Sequence, residues 1–170
     1  MKIKTLLVAT FGLIVGVSIM DTPTITHQIV PDKNSVNSSS PSCMKVYEWI
    51  EHYADSFDIP KRYAYGIAWN ETRYNGPFHF KYNPAQTSSA NAVGPMQVKV
   101  GTARYINKDN VSIDRLRTDI RYNVMTSMKL LRRLKNKHGD WKLVFGAYNT
   151  GRPMINDYAI RVYNHKINWE

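Results

Sequence analysis

Apolar residues recur along most of this chain at the spacing of a helix. Val46, Ile50, Tyr53, Ala54 and Phe57 share one helical face, which predicts a first helix. Asp58-Ile59-Pro60 breaks that pattern and opens a second helix over residues 61–73, since proline is tolerated in a first turn. Tyr63, Ile67 and Trp69 carry apolar bulk through it, and Gly76-Pro77 is expected to end it. Residues 76–93 hold Gly, Pro, Asn and Ser with no steady period and read as an irregular segment with room for a short hairpin. A short helix is expected over residues 96–105 and a long one over 118–138. In the long helix Thr118 caps the start, Asp119 complements the dipole, and Gly139 closes the end. Its buried stripe is Ile120, Val124, Met128, Leu131 and Leu134. Asp140 is placed to cap a further helix through Trp141, Val144, Phe145 and Tyr148, and Gly151-Arg152-Pro153 breaks it before a last helix over 154–163. The fold class is therefore mainly α, with a small irregular or β-containing segment.

The N-terminus departs from this pattern. Lys2 and Lys4 precede an uncharged, mostly apolar run over residues 6–20, the layout of a secretory signal. Gly16-Val17-Ser18 is the nearest approach to a cleavage site, and the run is shorter than the roughly 20 residues of a membrane-spanning helix. Residues 1–20 thus read as a signal peptide or a membrane anchor, with membrane association through residues 6–20 in the second case. Both readings make the rest an exported protein of the periplasm or cell envelope. Residues 21–42, rich in Thr, Ser, Pro and Asn, read as a flexible linker, leaving residues 43–170 as one folded domain. The lone Cys43 allows no internal disulfide, and a plain buried or free thiol is the favoured reading. The net charge of +10 favours a polyanionic partner: nucleic acid, acidic headgroups or a carboxylate-rich cell wall. Zinc-finger spacing and RNA-binding aromatic signatures are both missing, which argues against nucleic acid.

The candidate chemistry centres on Glu71. Ile67 and Ala68 lie one helical turn before it and Tyr74 one turn after. Such surroundings raise a carboxyl pKa by disfavouring the charged form, as a proton donor for glycosidic cleavage requires. Alone, a glutamate near a helix end is more often a surface residue. Two other segments change that balance. One runs from Ser88 to Gln97, where small residues, Gly94 and the amide of Gln97 suit a substrate-lining turn. The other is Ala147-Tyr148-Asn149-Thr150-Gly151. A paired-carboxylate glycosidase would need a second acid, yet residues 72–100 and 147–151 contain neither Asp nor Glu, and Asp157 is the acid nearest any of these motifs. Chemistry without an external nucleophile is indicated.

Glu71-Thr72-Arg73-Tyr74, Gly94-Pro95-Met96-Gln97 and Ala147-Tyr148-Asn149-Thr150-Gly151 stand in the order of the soluble lytic transglycosylase family, and the chain resembles it over about residues 45–164. Asn83-Pro84, Ser88, Thr102-Ala103, Asp119 with Asn123, and Tyr158-Ala159-Ile160-Arg161-Val162 also match its pattern. The resemblance implies a goose-type lysozyme-like catalytic domain that cleaves the β-1,4 bond between N-acetylmuramic acid and N-acetylglucosamine in peptidoglycan without water, leaving 1,6-anhydro ends. It implies Glu71 as the single general acid and base, with Ser88, Met96, Gln97, Tyr148, Asn149 and Tyr158 binding the glycan and Tyr158 near Glu71. Thr72, Pro95, Asn91 and Ser127 replace the family's usual Ser, Leu, Gly and Gly, and residues 76–82 read as an insertion. No cofactor or metal is implied: the five histidines are dispersed and His-Glu-x-x-His does not occur. The alternatives are a hydrolytic muramidase or chitinase on the same scaffold, a non-catalytic peptidoglycan-binding module, and a basic nucleic-acid binder. Wall turnover, a phage lysin, and a partnership with a secretion or conjugation complex all remain open settings.

Overall fold

The structure, a computed structural model, describes residues 39–169. The expectations for residues 1–20 and for most of the 21–42 linker lie outside these. Seven helices and one small hairpin follow in order among the described residues: α1 (Ser42–Ser56), α2 (Lys61–Thr72), β1 (Ala92–Val93), β2 (Val98–Lys99), α3 (Val100–Asn107), α4 (Ile113–Thr118), α5 (Ile120–His138), α6 (Trp141–Thr150) and α7 (Asp157–Tyr163). The long α5 is the central strut. It packs against α1 and α6, while α2 packs against α1 and α7. α2 is buried continuously from Tyr63 to Ala68, as befits a helix enclosed by its neighbours. The core joins Ile50, Tyr65, Ile67, Met96, Met128, Leu131 and Phe145, all fully buried. Cys43 belongs to it as a free thiol, its Sγ donating to the Pro77 carbonyl at 3.1 Å.

Several boundaries differ from those read off the pattern, and one helix is added. α2 stops at Thr72, because Arg73 turns left-handed (φ 60°) and sends Tyr74 inward, where its hydroxyl donates to the Cys43 carbonyl at 2.8 Å. The helix expected from residue 96 begins at Val100, because the preceding residues form the antiparallel hairpin with Val93 opposite Val98 and Ala92 opposite Lys99. α4 was not expected. It has six residues, too few to display a period, and Ser112 caps it by accepting from the Arg115 amide. Asp119, not Thr118, is the N-cap of α5 and accepts from the Tyr122 amide at 2.9 Å, while the Thr118 hydroxyl bonds back to the Asp114 carbonyl.

The last helix begins at Asp157, capped by Asn156, rather than at residue 154. Its approach segment lies flat across α6, where a Cβ on Gly146 would fall 1.7 Å from the Met154 carbonyl oxygen. Such packing excludes a side chain at 146. The α6 boundaries follow the pattern: Asp140 accepts from the Lys142 and Leu143 amides, and Gly151 closes the helix at φ 79°.

Candidate functional site

Glu71 occupies the last turn of α2 and is half-buried. Tyr158, on the first turn of α7, is buried and donates its hydroxyl proton to Glu71 Oε1 at 2.6 Å. Two elements far apart in sequence thereby meet at one carboxyl. Burial raises the Glu71 pKa above its ordinary value of 4.5, and the Tyr158 hydrogen bond offsets part of that rise. Among the described residues no second carboxylate contributes to this balance. Burial and then the nearby Glu71 charge push the Tyr158 and Tyr148 phenols well up, so both stay protonated and act as donors.

Tyr148, on α6, donates to the Met96 carbonyl at 2.7 Å. Its oxygen lies 2.9 Å from Ser127 Oγ on α5. A phenol has one proton, so Ser127 is the donor in that second bond. Met96 is anchored from the other side, its amide donating to Asn123 Oδ1 at 3.1 Å, while Asn123 Nδ2 donates to the Val93 and Leu116 carbonyls at 2.8 and 3.0 Å. Asn123 therefore holds the hairpin turn to the central helix. Gly94 permits this closeness: at φ 80° a Cβ there would sit 2.3 Å from Asn123 Nδ2. Thr72, next to Glu71, completes the frame. Its Oγ1 lies 3.0 Å from the carbonyls of Ala68 and Pro95 and 2.7 Å from the Tyr82 hydroxyl, joining the end of α2 to the turn that carries Met96.

The residues singled out from the sequence thus occupy different positions. Glu71, Tyr148 and Tyr158 converge. Met96 is fully buried, so it offers no side-chain surface to a glycan and acts through its carbonyl on Tyr148. Gln97 is half-buried with a left-handed backbone (φ 47°). Its Nε2 is committed to the Gln86 and Gly94 carbonyls, which leaves Oε1 as its free acceptor. Ser88 closes its own turn: its Oγ accepts from the Ala92 amide at 3.1 Å, and its amide donates to the Ala92 carbonyl at 2.9 Å. Asn149 is exposed near the end of α6 and accepts from Asn156 at 3.4 Å. Sequence reasoning did not place Asn123 and Ser127 among the site residues. The signal was present: both are polar, one turn apart, and buried beside the apolar stripe of α5, where an unpaired polar group is costly. Among the described residues no cluster of His, Cys, Asp and Glu could hold a metal ion.

The family model for the transglycosylase SLT domain matches residues 48–169. A comparison with curated protein sequences finds no match. Among solved structures, the 70 kDa soluble lytic transglycosylase from Escherichia coli is similar at 23% identity and a TM-score of 0.53, over 69% of this chain and 18% of that one. A complex of the 70 kDa soluble lytic transglycosylase with bulgecin A gives the same values. An inactive glutamate-to-glutamine mutant of the lytic transglycosylase Slt from Pseudomonas aeruginosa is similar at 17% identity and a TM-score of 0.50, over 68% of this chain and 20% of that one. The matched region spans no more than a fifth of the length of these structures, and the likeness to them is one of fold.

Proposed function

The chain belongs to the transglycosylase SLT domain family and has its lysozyme-like, mainly α fold, and from that premise we propose that it is a peptidoglycan lytic transglycosylase with Glu71 as its single acid and base. The observation that carries this reading is the half-buried Glu71 carboxyl, with a raised pKa, a 2.6 Å bond from Tyr158 and no ionised companion acting on it. A protonated Glu71 donates to the glycosidic oxygen linking N-acetylmuramic acid to N-acetylglucosamine. The bond from the muramyl C1 to that oxygen breaks, and the N-acetylglucosamine end leaves with a new hydroxyl. The substrate's acetamido group shares the positive charge left near C1. Glu71, now a carboxylate, takes the proton from the muramyl C6 hydroxyl as O6 bonds to C1, closing the 1,6-anhydro ring. The enzyme ends protonated, as it began, and no water is consumed.

Each supporting group has a role matched to its geometry. Tyr158 steadies the carboxyl in both charge states, and its bond strengthens when Glu71 is ionised. Tyr148, held by Met96 and Ser127, forms the adjoining wall, and Gln97 Oε1 and Asn149 offer hydrogen bonds to sugar hydroxyls and acetamido groups. General acid–base assistance of this kind supplies roughly 10²–10⁴-fold of rate. The similar Pseudomonas aeruginosa enzyme is inactive as a glutamate-to-glutamine mutant, in line with a glutamate-dependent reaction. We further place the enzyme in the cell envelope, exported by residues 1–20.

The test is mass spectrometry of purified peptidoglycan digested by the protein. Anhydro-ended fragments lighter by one water than reducing-end fragments support the proposal. Reducing ends alone identify a hydrolase, and no release of fragments identifies a binding module.

A further inference from the structure

The insertion at residues 76–82 has no part in the site described above except through its last residue, Tyr82, yet it carries the two most exposed large apolar side chains among the described residues. Phe78 is 69% exposed and Phe80 68%. Their exposure does not come from a loose loop. The His79 amide donates to the Gly76 carbonyl, that of Phe80 to Phe78, and that of Tyr82 to His79, at 2.8–3.3 Å. The Pro77 carbonyl accepts from Cys43 Sγ at 3.1 Å, and Trp169 lies so close over Gly76 that a Cβ there would meet its ring at 2.5 Å. A backbone pinned from both sides thus holds two phenyl rings out in water.

We infer that this loop is a membrane-contact element, with Phe78 and Phe80 entering the headgroup region of a bilayer that carries anionic lipid. Three observations select a lipid surface. Phenyl rings have no polar edge, whereas an aromatic that lies against sugars gains from a hydroxyl or indole N–H. Along the chain the charge at the loop has one sign: Arg73 precedes it and Lys81 lies within it, both exposed, and residues 72–108 contain no Asp or Glu. Cations beside apolar anchors are the combination that binds anionic headgroups. Finally, Cys43, which touches Pro77, is the second residue of α1, so the chain enters the domain beside this loop. The sequence upstream of that entry includes the uncharged, mostly apolar residues 6–20. Two side chains on a loop make an interfacial contact, and no helix among the described residues is long and apolar enough to cross a membrane. It would orient the domain at the bilayer.

The experiment uses the full chain and vesicles of phosphatidylcholine with or without phosphatidylglycerol. Phe78→Trp, read against the parent, reports ring depth through quenching by brominated lipid, and Lys137→Trp, at the far end of α5, is the control. Phe78→Trp should be quenched on phosphatidylglycerol vesicles while Lys137→Trp is not. The Phe78→Ser/Phe80→Ser double variant should lose roughly tenfold in partitioning with its thermal midpoint unchanged. An unquenched Trp at 78 overturns the inference. So does a double variant that partitions like the parent; if it also no longer binds insoluble peptidoglycan, the loop is a glycan contact. Glu71→Gln should bind vesicles like the parent, so failure of the proposed chemistry and failure of this contact are read separately.

Discussion

In the proposed reaction Glu71 holds a proton at the start and loses it midway, and two opposed influences set that balance. Burial raises its pKa and the Tyr158 hydroxyl lowers it. Tyr158→Phe removes the lowering influence alone. The alkaline limb of the kcat/KM profile should therefore move to higher pH, while kcat falls because the carboxylate form loses its donor. A profile that shifts down or stays fixed would deny Tyr158 this influence. Glu71→Gln should reduce glycan cleavage by roughly 10²–10⁴-fold, measured as soluble fragments released. The same substitution has a stability signature. A carboxyl whose folded pKa is raised favours folding below its unfolded pKa and costs stability as pH climbs from there through the folded value. Gln carries no such cost, so thermal melts should show Glu71→Gln at or above the parent midpoint at pH 7, with that advantage shrinking toward pH 4. At this scale the sequence pointed to the carboxyl that the structure half-buries against Tyr158, because an acid flanked by apolar residues is visible in one dimension. It put Met96 among the glycan-binding residues and could not show that the fold buries its side chain.

The site depends on a few short elements held at their ends. Asp119 starts α5 by capping the Tyr122 amide, and Asn123, one turn later, clamps the hairpin. Asp119→Ala should cost about 1 kcal/mol in urea unfolding and leave the m-value unchanged. Gly94→Ala should cost more, at least about 2 kcal/mol, since it combines a left-handed backbone with a side chain driven into Asn123. It should also reduce cleavage, because the displaced turn carries the Met96 carbonyl that holds Tyr148. Helix existence was legible from apolar spacing for α1, α2, α5 and α6. Helix ends were less so, as at Arg73 and Asp119. Capping residues compete locally, and the winner depends on which neighbour buries what: Tyr74 leaves the helix for the core, and Thr118 bonds back into α4. The hairpin was placed too early because a two-residue strand shows no alternation.

At the scale of the whole molecule, α5 joins the halves of the site. Its apolar residues build the core, while Asn123 and Ser127 on adjacent turns reach toward the hairpin and toward Tyr148. Met128→Ala, on the fully buried stripe, should destabilise the domain by about 2–5 kcal/mol, read from chemical denaturation. The positive charge also acts at this scale, since the chain carries +10 overall. Retention on insoluble cell wall should weaken as salt rises from about 0.05 to 0.5 M, over which the Debye length drops severalfold.

The sequence by itself determined the mainly α class, the helical run of the core, the family and the acid to suspect, because each rests on residue types at short or ordered spacing. The family resemblance put Tyr158 near Glu71, and the structure joins them by a hydrogen bond across 87 positions; the tertiary structure alone decided that Met96 serves through its backbone and that Phe78 and Phe80 stand outside. Those outcomes depend on which surfaces bury one another, and burial is a property of the packed chain rather than of any stretch of it.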